Sequence, residues 1–171
     1  MNSKLLKSFR NIFEDKQKLS TFYSYYITLC NWININKKHI GDDLNKKQQL
    51  KILMCLNIDN YNVNKIGEKR LVLSCEKRRI GEINYKKNKD LLEAIEDTLW
   101  DMVTIGSDLD CDCIEGDLRY IKIINQNNVE EVVLQCNYCK QIYALDGTKK
   151  QIEIDGCIPA TNEDIILDDI F

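Results

Sequence analysis

Residues 90–113 read DLLEAIEDTLWDMVTIGSDLDCDC, and the change of pattern inside this stretch decides the fold. Its first part repeats apolar residues at helical spacing, with Leu91, Leu92, Ile95, Leu99, Met102 and Val103 on one face. Glu93, Glu96, Asp97 and Asp101 line the other side, and Asp90 with Glu93 has the spacing of a capping box. Gly106 reads as the stop. Beyond it the period shortens to that of a strand. A helix therefore hands over to a sheet within a few residues, which predicts an α+β chain.

Downstream, Leu118, Tyr120 and Ile123 predict a strand, Gln126-Asn127-Asn128 a turn, and residues 129–135 the return. Residues 142–145, the Asp146-Gly147 pair and residues 151–154 predict a second hairpin. The last residues, 163–171, mix acids with Ile165, Ile166, Leu167, Ile170 and Phe171, and suit docking on the body or on a partner.

Upstream, Leu5, Leu6, Phe9, Ile12 and Phe13 recur at helical spacing, as do Leu19, Phe22, Tyr23, Tyr26, Ile27 and Cys30. Asp15 is a candidate cap between them. The aromatic stripe of Phe22, Tyr23, Tyr26 and Trp32 reads as core rather than as a base-stacking surface. Gly41 ends this region after Lys37, Lys38 and His39, and Asp42 or Asp43 caps a helix carrying Leu44, Leu50, Leu53, Met54 and Leu56. The phrase Ile40-Gly41-Asp42-Asp43-Leu44 has a near copy in Ile105-Gly106-Ser107-Asp108-Leu109, read as two glycine stops. In residues 58–87, Asn60, Asn62 and Asn64 suit turns. Leu71-Val72-Leu73 with Ile80 and Ile83 suggest short strands, joined by a turn that carries Lys77, Arg78 and Arg79. The expected architecture is an N-terminal helical layer, a central amphipathic helix and a C-terminal antiparallel sheet. Residues 1–106 are mainly helical with a short β segment, and residues 107–171 form the β module and an acidic tail.

The 171 residues are 44% hydrophobic and 30% charged, enough to bury a core and unlike a disordered chain. Seven glycines and one proline exclude collagen-like and linker classes. No apolar run approaches the ~18 residues of a membrane span, and no secretory signal pattern opens the chain, so a cytoplasmic protein is expected. Charge is strongly divided: residues 1–89 carry 19 Lys/Arg against 8 Asp/Glu, and residues 90–171 carry 5 against 19. The C-terminal half should repel nucleic acid and attract basic protein surface.

Chemistry rests on the cysteines. In a reducing compartment eight cysteines do not suggest a disulfide framework. Cys30, Cys55 and Cys75 fall in apolar segments and read as small buried hydrophobes. Cys111-Asp112-Cys113 and Cys136-Asn137-Tyr138-Cys139 flank the first predicted hairpin, whose ends must return to one another. Four thiols then converge as a closed tetrahedral Zn²⁺ site requires, a structural site whose binding free energy helps to fold a small module. Lys140 stands where a tight knuckle turn often prefers Gly. The C-x-C half is one residue shorter than usual, and Cys157 is the alternative ligand to one of that pair. A redox pair at Cys136 and Cys139 is a further alternative, without the βαβ setting of a thioredoxin-like site. His39 is the single histidine, and no catalytic constellation or phosphate-binding glycine loop is present, so no enzyme activity is expected.

Through Cys111, Cys113, Cys136 and Cys139, residues 107–154 resemble a zinc ribbon, which implies contacts with nucleic acid or protein. Residues 107–157 hold Arg119, Lys122, Lys140, Lys149 and Lys150 against ten acids, and four thiolates on one Zn²⁺ add a further −2, which disfavours phosphate as the ligand. In size, charge and composition the chain resembles the bacterial immunity proteins of contact-dependent growth inhibition and related polymorphic toxin systems. That resemblance implies a cognate toxin domain, often a basic nuclease, as the partner, neutralised by occlusion of its active site or substrate groove. The acids dense around the ribbon and its preceding helix are the candidate contacts: Asp97, Asp101, Asp108, Asp110, Asp112, Glu115 and Asp117. The alternative is a nucleic-acid-associated accessory protein that uses the basic N-terminal half, with Lys77, Arg78 and Arg79 foremost.

Overall fold

Helix α1 (Ser3–Asn11) and helix α2 (Phe22–Ile40) carry most of the buried aromatic residues of the N-terminal core, Phe9, Phe22, Tyr25, Tyr26 and Trp32. The structure, a computed structural model, describes residues 3–14, 21–61, 80–124, 130–152, 154 and 156–168. The expected features at Asp15, Leu19, Asn62, Asn64, Leu71-Val72-Leu73, Cys75, Lys77-Arg78-Arg79 and Gln126-Asn127-Asn128 lie outside those residues. The fold is α+β. It divides into two compact units, Met1–Ile58 with Val63–Met102, and Asp59–Asn62 with Val103–Phe171.

In the first unit, Thr21 and Ser24 form a reciprocal cap for α2. The Ser24 N–H donates to Thr21 Oγ1 at 3.0 Å, and the Thr21 N–H donates to Ser24 Oγ at 3.1 Å. Such a cap stabilises a helix by about 1 kcal/mol. Gly41 ends the helix with φ +66°, donating its N–H to Lys37 O at 3.1 Å, a conformation that glycine adopts without strain. Phe9 lies edge-on to Trp32 and Phe13 with ring centroids 5.0 and 5.3 Å apart, and Trp32 Nε1 donates to Ser8 Oγ at 2.8 Å. Phe22, Tyr26 and Trp32 are buried, as a core stripe requires, and Tyr23 is exposed.

The helix expected after Gly41 is two short pieces, α3 (Asp42–Asn45) and α4 (Gln48–Leu53). Asp42 and Asp43 sit in the first turn of α3, with Gly41 at the cap position. Ile80, expected in a strand, belongs to a helical turn at residues 80–82, where it accepts a hydrogen bond from Tyr85 Oη at 3.1 Å. Gly81 in that turn lies against the Phe13 ring, which a Cβ would meet at 3.1 Å. Helix α5 (Asn88–Val103) begins two residues before Asp90, so Asp90 is a first-turn acid and not the cap. Leu91, Ile95, Leu99 and Met102 are buried on it. Glu96, read as solvent-facing, is half-buried and pairs with Lys47 at 3.4 Å.

The second unit is an antiparallel sheet of β1 (Gly106–Asp110), β2 (Asp117–Ile124), β3 (Glu130–Cys136), β4 (Ile142–Tyr143), β5 (Lys149–Lys150) and β6 (Gly156–Pro159). The strands run in the order β1-β2-β3-β4-β5, and β6 also pairs β2. Since β3 occupies one edge of β2, β1 and β6 share the other. β1 is opposite Asp117 and Arg119, and β6 is opposite residues 121–124. Gly106 is therefore the first residue of a strand, not a helix stop like Gly41, and the near copy around it has no structural counterpart. The second hairpin turns tightly, with Gly147 at φ +84° and the Ala144 N–H donating to Thr148 O at 2.8 Å. Its return strand consequently starts at Lys149, two residues earlier than expected. Helix α6 (Asn162–Asp168) closes the described chain, tied to the sheet by Lys122, which pairs with Asp164 at 2.6 Å and Glu130 at 3.2 Å. No described helix is long and apolar enough to cross a membrane.

Candidate metal centre

The sheet register brings the four paired cysteines together. Leu118 faces Cys136 across β2 and β3, and Asp110 faces Asp117 across β1 and β2, so the loops after Asp110 and after Cys136 lie at the same end. Each loop is a tight knuckle. The Ile114 N–H donates to Cys111 O at 3.0 Å, and the Lys140 N–H donates to Cys136 O at 3.2 Å. The Cys139 N–H points at Cys136 Sγ, 3.4 Å away. Ile114 at φ +66° and Lys140 at φ +63° are the two non-glycine residues with left-handed backbone among those described. Lys140 thus takes the conformation that its place in the knuckle demands. For isoleucine the same conformation costs roughly 1–2 kcal/mol.

Among the described residues the four Sγ atoms lie within 4.8 Å of one another. Cys111 and Cys139 are 3.5 Å apart, and Cys113 and Cys136 are 3.6 Å apart. A disulfide needs about 2.05 Å. Four sulfurs at about 2.3 Å from one tetrahedral ion would be about 3.8 Å apart, so the observed spacing fits a single soft cation and a closed ligand set. The C-x-C half serves as well as the C-x2-C half because its knuckle turn closes directly after Cys113. Cys157 is excluded by parity. It pairs with Ile123, five residues along β2 from Leu118, and so projects from the opposite face to Cys136. Cys30 is buried, as expected, and burial pushes its thiol up to about 12. Cys55 is exposed, contrary to expectation.

Crowding four thiols favours one thiolate over the rest. Tyr143 is buried, with its hydroxyl 3.2 Å from Cys111 Sγ. That hydrogen bond, helped by the backbone at Cys113, pulls Cys111 down to about 6, and the same contact pushes Tyr143 up to about 12. The backbone N–H of Gln141 favours the thiolate of the exposed Cys139, but local desolvation and the neighbouring thiols push it up to about 12. A divalent cation would relieve this repulsion. Tyr143 then holds Cys111 in place, and Tyr143→Phe should lower metal affinity about tenfold in chelator competition with the sheet intact. An unchanged affinity would remove Tyr143 from the centre.

Gly116 is a site residue that the cysteine spacing does not single out. A Cβ there would collide with Cys136 Sγ and reach Asn137 Oδ1 and Tyr138 Cβ at 2.8 Å each. The two knuckle loops are further joined where the Asp117 N–H donates to Asn137 Oδ1 at 3.1 Å and the Asn137 N–H donates to Asp117 O at 3.0 Å. The seven candidate contact acids are all exposed. Asp97 and Asp101 lie on α5 in the first unit; the others belong to the second. Asp108 and Asp110 are on β1, Asp112 and Glu115 are in the first knuckle loop, and Asp117 starts β2. Asp112 pairs with Lys149 at 2.7 Å. An α+β chain with a four-cysteine centre at one end of its sheet is the class that this geometry defines. Comparison with protein-family models, curated proteins and solved structures finds no match.

Proposed function

We propose that the centre holds one structural Zn²⁺ through Cys111, Cys113, Cys136 and Cys139, and that the chain is an immunity protein. In this reading it binds a basic toxin domain, a nuclease foremost, and blocks it by occlusion without chemistry of its own. The observation that carries the reading is acid surplus on a braced module. Lys122, Lys149 and Lys150 are each paired with a carboxylate of Glu130, Asp164, Asp112 or Glu131. With Asp112 offset by Lys149, the exposed Asp108, Asp110, Glu115 and Asp117 still outnumber Lys140 of the second knuckle and give the field there its negative sign, to which a tetrathiolate zinc centre would add. Such a field speeds encounter with a basic partner and repels phosphate.

If a toxin domain is encoded beside this gene, the test is co-expression with it, read as cell survival. Wild type should rescue. Replacing Asp108, Asp110 and Glu115 by Lys should slow association about tenfold or more at low ionic strength and flatten its salt dependence, with folding little changed. The accessory-protein reading predicts the opposite sign: the same reversals strengthen binding to nucleic acid. Recovery of nucleic acid and no basic protein with the native chain would contradict the immunity reading.

A further inference from the structure

Two large side chains stand out at the tip of the sheet. Ile114 is 95% exposed and Tyr138 64% exposed, one in each knuckle loop. The loops are locked together by the Asp117–Asn137 hydrogen bonds and the close approach of Gly116. Ile114 contributes almost no burial, and it holds a left-handed backbone that isoleucine disfavours. Asparagine or glycine would serve the turn better, so nothing in the fold accounts for isoleucine at this position. Contact with another molecule does account for it. The neighbouring charges indicate the kind of molecule: Asp110, Asp112, Glu115 and Asp117, all exposed, lie within four residues of Ile114, against Lys140 two residues from Tyr138 and Lys149 paired with Asp112.

We propose that Ile114 and Tyr138 are the apolar centre of a docking surface for a basic protein, with those four acids as its rim. An aromatic and an aliphatic anchor inside a charged ring is the usual anatomy of a protein interface. A tip held on both sides by hydrogen-bonded knuckles also loses little entropy on docking. The inference rests on the proposed binding of a basic partner and names the part of the surface that makes it.

A photo-crosslinking side chain is placed at position 114 in the full chain, with position 35 on α2 (Ile35, 80% exposed) as the control. The protein joined in cells is identified by mass, produced separately, and titrated against wild type, Ile114→Asn and Tyr138→Ala. The expected result is a basic protein joined at 114 and not at 35, with each variant binding it at least tenfold more weakly at unchanged metal content. Ile114→Asn should melt no lower than wild type, since asparagine suits that backbone better. Equal adducts at both positions, no adduct at 114, an adduct of two copies of this chain, an adduct with nucleic acid, or variants that bind like wild type would each overturn the surface. If the variants lose binding to a basic protein that is not a toxin, the surface stands and the immunity reading falls. If they neutralise a toxin as wild type does, the reverse holds.

Discussion

Replacing Cys136 and Cys139 together by Ser should abolish zinc binding and unfold the knuckle end of the sheet. Cys136 is fully buried, ends β3 and packs with Cys111, Leu118, Leu134 and Tyr143. The double replacement removes two of the four proposed ligands and leaves two polar hydroxyls beside two crowded thiols. Structural zinc contributes on the order of 10 kcal/mol in small metal-folded domains, comparable with the whole stability of an ordinary one. Metal content should therefore fall to zero, and amide protection in β2 and β3 should collapse. The capped α2 core, with its own aromatic packing, should keep its helical signal. A double variant that melts like wild type would show that the sheet needs no metal.

Gly116→Ala should have nearly as large an effect through one added methyl group. Relieving the collision with Cys136 Sγ, Asn137 Oδ1 and Tyr138 Cβ requires one knuckle to move away from the other. Overpacking of this kind costs typically 1–3 kcal/mol, and displaced thiolates lose metal affinity as well. At least a tenfold loss of zinc affinity and a clearly lower melting temperature are expected. Gly156→Ala is the control, because a Cβ there meets nothing within 4 Å. Equal behaviour of the two variants would contradict the packing described for Gly116.

Which parts were legible in the sequence follows from the range of the physics involved. The helix of residues 88–103 and the cysteine pairs are local patterns, and a hairpin between the pairs must bring its ends together. The aromatic core stripe is likewise a matter of spacing. Parity on β2 was harder to read. Leu118 is buried on one face of the strand and Ile121 and Ile123 on the other, so apolar residues do not alternate cleanly there. Gly41 and Gly106 look alike in their local sequence. One ends a helix at positive φ, whereas the other enters a strand because β2 pairs with it, a long-range fact. The role of Gly116 depends on a loop some twenty residues away. Its only local signal was a glycine three residues after a cysteine. The Thr21–Ser24 cap, by contrast, could have been read from a Thr followed three residues later by Ser at the start of an apolar periodic run.

The measurement that bears most directly on this account is native mass spectrometry of the full chain, expressed with zinc in the medium and purified without chelator. The expected mass is that of the chain plus one zinc, less the protons of the thiols that bind it, with no zinc on the Cys136→Ser/Cys139→Ser variant. A chain that carries no metal, or one joined by a disulfide between Cys111 and Cys113, would contradict it.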